Sequence, residues 1–182
     1  MIDTIVNLLL AIFLLAANAF YVAAEFALVK SRDFRIDAMA AQNRFGARLL
    51  QKMMGNIEAY LACCQLGITM ASLGLGWIGE PTVSALLKPI LVPLGMPESA
   101  LHFTSFLLGF LVFSSLHIVV GEQVPKTLAI REPVPVSQWI AYPLHVSFLL
   151  FYPLNWLLNT ASRSILRLLD VREPPHQEIL SD

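Results

Sequence analysis

Apolar residues fill four long stretches of the chain, and charged residues collect between them. The stretches free of Asp, Glu, Lys and Arg are Thr4 to Ala24 (21 residues), Ala59 to Gly79 (21), Ser99 to Gly121 (23) and Pro133 to Ser162 (30). Their apolar positions are continuous rather than alternating, unlike the strands of a membrane barrel. A helix needs about 20 mostly apolar residues to cross a bilayer, so the first three runs are long enough to span. The fourth run contains Pro133, Pro135, Pro143 and Pro153, and proline inside a helix removes a hydrogen bond and crowds the preceding turn. It therefore reads as a helical hairpin that dips into the inner leaflet or wraps the bundle. An amphipathic juxtamembrane helix follows it.

The basic residues set an orientation. None precedes Lys30, whereas Lys30, Arg32, Arg35, Arg44, Arg48 and Lys52 crowd the first connector. Only Lys88 falls between Glu80 and Ser99, and Lys126, Arg131, Arg163, Arg167 and Arg172 come later. The positive-inside rule then places the N-terminus outside, the first connector inside and the C-terminus in the cytoplasm. Basic clusters on both sides of the fourth run argue against its crossing. The expected fold is all-α and integral to the membrane. It has three transmembrane helices over about residues 4–28, 58–79 and 100–124, with juxtamembrane helices over 133–170 and a linker starting at 171–182.

Composition agrees. Hydrophobic residues make up 57% of the chain and charged residues 14%, against about 25% charged in soluble domains. That excludes a disordered chain and a nucleic-acid binder. The net charge of −1 names no partner. Cys63 and Cys64 are adjacent, point to different helix faces and lack metal-site spacing, so they read as apolar filler. No nucleophile–base arrangement, P-loop or GxGxxG appears, and no enzyme chemistry is expected.

In the inner connector (30–55), Phe34, Ala38, Ala41, Phe45, Leu49 and Met53 recur at helical spacing, with Arg44, Arg48 and Lys52 on another face. Such a helix suits anionic headgroups, or simply obeys the positive-inside rule. Outside, Pro81, Pro89, Pro93 and Pro97 divide the segment into a short helix near Thr82 to Leu91 and a turn at Gly95.

Polar groups within apolar spans are costly and so are functional candidates. With a rise of about 1.5 Å per residue, Glu25 lies about 30 Å from the outer end of its helix and Asn18 about 10 Å above it. Gln65 and Thr69 lie about 10 and 16 Å in from the inner face, and Glu122 ends the third run after about 34 Å. Glu25, Gln65 and Glu122 thus converge in the inner half of the membrane. In Gly121-Glu122-Gln123-Val124-Pro125-Lys126, Pro125 has no N–H for the Gly121 carbonyl. A freed carbonyl beside a carboxylate, with amides and hydroxyls nearby, makes an all-oxygen site for Mg²⁺, Ca²⁺ or Na⁺. The plainer readings stay open: Glu122 pairing with Lys126 at i,i+4, Glu25 packing at the interface, and Gln65 and Thr69 bonding between helices. Gly67, Gly74, Gly76 and Gly79 read as close-packing positions, and His117, five residues before Glu122, as a packing residue on another face.

Three segments resemble one family. Asn18-Ala19-Phe20-Tyr21-Val22-Ala23-Ala24-Glu25-Phe26-Ala27-Leu28 resembles the end of the first helix of the CorC/cyclin M (CNNM) transmembrane domain. Gln65-Leu66-Gly67-Ile68-Thr69 and Ser72 to Pro81 are similar to the second helix of its bacterial, hemolysin-like branch, and Gly121 to Ala129 to its G-E-x-x-P-K-T-x-A motif. The resemblance covers roughly residues 4 to 170. It implies a multi-pass protein of the cell (inner) membrane, a homodimer, with three spans and a belt per subunit. It also implies export of Mg²⁺ driven by Na⁺ entry, from a cavity open to the cytoplasm. Regulatory CBS domains follow in family members and are not in this chain. Carried over by position, the ion site would draw on Gly121 and Glu122, then Gln65 and Thr69. Asn18, Gly67, Pro125 and Lys126 would serve its rearrangement. Where many members have first-helix serines this chain has Val22 and Ala24, so the Ala23 carbonyl or Glu25 would stand in. Asparagines of the related branch fall near Ile68 and Thr69. Two other roles remain open: a non-transporting anchor for a cytosolic nucleotide-sensing region, and a passive cation channel.

Overall fold

The computed structural model describes residues 2–31, 45–95 and 97–168, all of them helix or short connection. Helix α1 is Ile2–Ser31, α2 is Ala47–Met54 and α3 is Ile57–Leu91. A 3₁₀ turn, Val92–Leu94, and Gly95 at φ 67° reverse the chain into α4, Glu98–Leu116. A π-helical segment, His117–Gln123, carries α4 into α5, Val124–Arg131, and α6 is Pro133–Leu168. Among the described residues, four helical stretches are long and apolar enough to cross a membrane: Ile5–Ser31, Ile57–Leu91, Glu98–Arg131 and Pro133–Leu158.

The fourth of these corrects the expected hairpin, because α6 is one helix of 36 residues with Pro143 and Pro153 inside it. Pro133 and Pro135 fall in the first turn, where the missing N–H groups would have no intrahelical partner. Pro143 and Pro153 each remove one bond from a long ladder, a loss that apolar helices tolerate. The segment expected to break at its prolines after Gly79 is corrected in the same way. Residues 82–91 continue α3 through Pro81 and Pro89, while the turn at Gly95 stands as expected.

Helices α1 and α3 are antiparallel partners. A Cβ on Gly74 would lie 3.0 Å from Leu14, Ser72 bonds Asn18, and Gly67 faces the ring of Tyr21. As residue numbers fall along α3 they rise along α1. The apolar core gathers at one end of this pair, from Ala24, Ala27 and Leu28 of α1, Leu50 and Met53 of α2, and Ile57, Tyr60, Cys63 and Cys64 of α3. Ala129 of α5 and Ile140, Ala141 and Leu144 of α6 complete it. Both cysteines are buried there as free thiols, the filler role their spacing indicated.

Helix α6 is fastened to that same end. Ser31 Oγ approaches the Pro133 carbonyl at 3.5 Å, Tyr60 Oη lies 2.7 Å from His145 Nδ1, and Tyr21 donates to Ser147 Oγ at 3.1 Å. Tyr60 also stacks on Phe148 with centroids 4.4 Å apart. Gly46, at φ 71°, admits the Gln138 carbonyl 2.7 Å from where a Cβ would sit, so α2 and α6 meet backbone to backbone. Although α6 extends about 54 Å at 1.5 Å per residue, these contacts engage only the Tyr21–Ser31 part of α1 and the first turn of α3.

In the first connector, α2 buries Ala47, Leu50 and Met53. Phe45 instead packs on Tyr142 and Trp139, at 5.3 and 6.3 Å between centroids. Phe34, Ala38, Ala41 and Arg44 lie outside the described residues, as does the linker at 171–182.

Candidate ion site at a π-helical turn

The π segment begins eight residues before Pro125 and ends just ahead of it. Its register shows in the Val124 N–H, which donates to the Val119 carbonyl five residues back. Pro125 has no N–H for the Gly121 carbonyl, so the α ladder cannot continue there. Widening the turn to i→i+5 accommodates the interruption, and such turns recur at functional sites.

The wider turn changes which side chains share a face. With five residues between hydrogen-bonded partners, His117 and Glu122 stack, and His117 Nε2 lies 3.6 Å from Glu122 Oε1. This corrects the assignment of His117 to a separate face, which assumed 3.6 residues per turn. Glu122 keeps its side chain 47% exposed, and His117 only 20%. The side chain facing Glu122 is thus His117, while Lys126 Nζ sits 4.5 Å from the ring centroid of Phe26 on α1.

Two other helices reach the turn. Asn18 of α1 is fully buried, and its Nδ2 donates to the Gly121 carbonyl at 3.0 Å. Ser72 of α3 donates to Asn18 Oδ1 at 3.1 Å, and its Oγ lies 3.4 Å from His117 Nε2. Asn18, Ser72, His117, Gly121 and Glu122 therefore form one polar cluster drawn from α1, α3 and the π turn. Gly121 is buried, and a Cβ there would meet His117 Cδ2 at 3.0 Å and both Asn18 Nδ2 and Leu15 Cδ1 at 3.1 Å. Only glycine lets the backbone come this close without moving a neighbour.

The remaining candidates lie along the two antiparallel helices. Asn18 and Glu25 are seven residues apart on α1, two turns along one face. Gln65, Thr69 and Ser72 share a face of α3 by the same spacing. Since Ser72 meets Asn18 and the helices run oppositely, Glu25 and Gln65 both lie about 10 Å from that contact, towards the same end. Glu25 and Ala23 are half-buried. Gln65 and Thr69 are exposed, and the Thr69 hydroxyl turns back onto the Gln65 carbonyl at 2.8 Å. Gly67 lies beneath Tyr21, whose ring would be 2.5 Å from a Cβ. Among the described residues no three His, Cys, Asp or Glu side chains gather as a metal cluster. The π turn contributes a single carboxylate, Glu122, next in sequence to Gly121.

Sequence reasoning passed over His117 and Ser72. Ser72 was legible as the next residue on the Gln65–Thr69 face. His117 was not legible, because a pitch of 3.6 residues per turn puts it on another face from Glu122.

These observations define a multi-pass helical membrane protein with a polar cluster at an interrupted helix. The chain belongs to the cyclin M family, matching the Cyclin M transmembrane N-terminal domain (CNNM) over residues 9–182. It is 39% identical over 175 residues to the UPF0053 protein YhdP of Bacillus subtilis, covering 96% of this chain and 39% of that protein. It is 35% identical over 176 residues to YrkA of the same organism, covering 97% and 41%. With Rv1841c of Mycobacterium tuberculosis the identity is 34% over 177 residues, covering 97% and 50%. The chain thus spans two fifths to one half of the length of these relatives.

Proposed function

We propose that this chain is the membrane domain of a Mg²⁺ transporter that exports the ion in exchange for Na⁺. The observation that carries the reading is the Gly121 carbonyl. Pro125 frees it from the helix, it adjoins the Glu122 carboxylate, and Asn18 and Ser72 tie it to two further helices. Glu122 supplies charge and Gly121 a carbonyl oxygen. Gln65 and Thr69, about two turns and one turn from Ser72, line the approach from the cytoplasm together with Glu25 and the Ala23 carbonyl. Mg²⁺ gives up its water reluctantly, which requires several converging oxygens. Rearrangement of Pro125, Lys126, Gly67 and Asn18 would open the site to the other side.

The three-span topology with an outer N-terminus and a cytoplasmic C-terminus belongs to the same proposal. The contacts of α6 with Tyr21 and Ser31 of α1 and with Tyr60 of α3 support a belt, as do the basic residues on both its flanks. Homodimerisation, the cell-membrane location and the Na⁺ coupling rest on the family resemblance.

Reconstitution in Mg²⁺-loaded liposomes tests the function. The expected result is saturable Mg²⁺ flux that rises with an opposing Na⁺ gradient and vanishes in Glu122→Gln. Folded protein that gives no flux with or without Na⁺ would make the chain an anchor. Non-saturating flux indifferent to Na⁺ would make it a channel.

A further inference from the structure

The protons of the Asn18–Ser72–His117 chain can be assigned from the acceptors they meet. The Gly121 oxygen only accepts, so the Asn18 atom 3.0 Å from it is the amide nitrogen. The other end of that amide is Oδ1, which also only accepts, so the Ser72 hydroxyl 3.1 Å away spends its one proton there. Ser72 has no second proton for His117. The Nε2 atom 3.4 Å from Ser72 Oγ must therefore carry the hydrogen. That same N–H faces Glu122 Oε1 at 3.6 Å. Every bond in the chain points one way, from His117 through Ser72 and Asn18 to the Gly121 carbonyl. Both oxygens of the π turn assigned to the cation thus face N–H groups.

We propose that this chain is a reversible donor–acceptor relay: in the direction shown, its N–H groups occupy the two oxygens, and the opposite direction frees them for a bound cation. The proposal rests on the reading of Gly121 and Glu122 as cation ligands. A cation seated on those oxygens repels the N–H dipoles aimed at them and attracts carbonyl oxygens. Half a turn of the Asn18 amide presents Oδ1 to the cation and Nδ2 to Ser72 Oγ. Ser72, now accepting from Asn18, must donate to His117 Nε2, which requires the Nδ1–H form of the ring. Nε2 releases its proton to water and Nδ1 takes one up, so the charge of the cluster is unchanged. The reversal removes two N–H groups from the cation's surroundings and adds one neutral oxygen ligand. Ser72 and His117 are positioning residues here, since they act on the cation only through Asn18 and Glu122.

The test is the ring tautomer, read from the ¹⁵N shifts of His117 with the protein in lipid nanodiscs. Spectra with and without Mg²⁺ are recorded at one and the same mildly alkaline pH. Mg²⁺ binding to the same sample is measured by calorimetry. The expected result is the Nε2–H form without Mg²⁺ and conversion to Nδ1–H at saturation. In Ser72→Ala, Mg²⁺ still binds, about tenfold more weakly, and the tautomer no longer follows it. Ser72→Thr, which keeps the hydroxyl, restores both. A tautomer unchanged by bound Mg²⁺ in the unaltered protein overturns the relay and leaves the ion site standing. Absence of Mg²⁺ binding to the unaltered protein overturns the ion site itself, and the relay with it.

Discussion

Helix α6 and the segment from His117 to Pro125 both carry proline inside an apolar helix, and they respond differently. In α6 the helix continues through Pro143 and Pro153 as a single 36-residue element. Ahead of Pro125 the helix widens into a π turn, and the carbonyl that has lost its partner receives a side-chain donor from another helix. Proline alone therefore does not make a site. What distinguishes Pro125 is its setting: a glycine four residues before it, a carboxylate beside that glycine, and a buried amide opposite. Apolar packing and a few hydrogen bonds hold α6 against the apolar core. A chain of four polar contacts holds the π turn.

Removing the one charge of the turn separates the two regions most sharply. Glu122→Gln is expected to weaken Mg²⁺ binding at least about 100-fold, or about 2.8 kcal/mol, with little change in thermal stability. Calorimetry and a melting curve on the same sample check both. The two prolines give the next largest contrast. Pro125→Ala restores an N–H for the Gly121 carbonyl, returns the turn to α pitch and moves His117 away from Glu122. It should cost about tenfold in Mg²⁺ affinity, or about 1.4 kcal/mol. Pro143→Ala should leave affinity unchanged and raise stability, because alanine is the better helix former.

The glycines offer a subtler pair. Gly121→Ala places a methyl 3.0–3.1 Å from His117, Asn18 and Leu15, and Gly67→Ala places one 2.5 Å from the Tyr21 ring. Overpacking of this kind costs about 1–3 kcal/mol, so both should melt earlier. Only Gly121→Ala should also reduce Mg²⁺ binding, because only there does the displaced neighbour belong to the polar cluster. The smallest effect is expected from Tyr60→Phe in the α6 seat. Losing its 2.7 Å bond to His145 should cost about 0.5–1.5 kcal/mol of stability, with flux intact.

The helical membrane architecture was legible from where charges are absent, since length and continuity of apolar residues are enough to name a spanning helix. Glu25, Gln65, Thr69, Gly121 and Glu122 stood out because polar groups in such runs are costly. The freed carbonyl at Gly121 followed from Pro125 alone. The pitch of the turn was not legible, because helical periodicity presumes 3.6 residues per turn, and that presumption placed His117 on the wrong face. Nor was the continuity of α6, because proline's local cost is visible in a sequence while the length of ladder that absorbs it is not. Asn18 could be named as a candidate, but its partner lies 103 residues away, beyond any local pattern.

The ion site on the π turn is tested most directly by locating the cation. Mn²⁺ substituted for Mg²⁺ in crystals of the protein gives an anomalous signal that marks its position without ambiguity. The expected peak lies at bonding distance from both the Glu122 carboxylate and the Gly121 carbonyl, between α1 and α3. A peak elsewhere in the membrane domain, with those two oxygens uncoordinated, would contradict the assignment of the turn as the place where the ion is held.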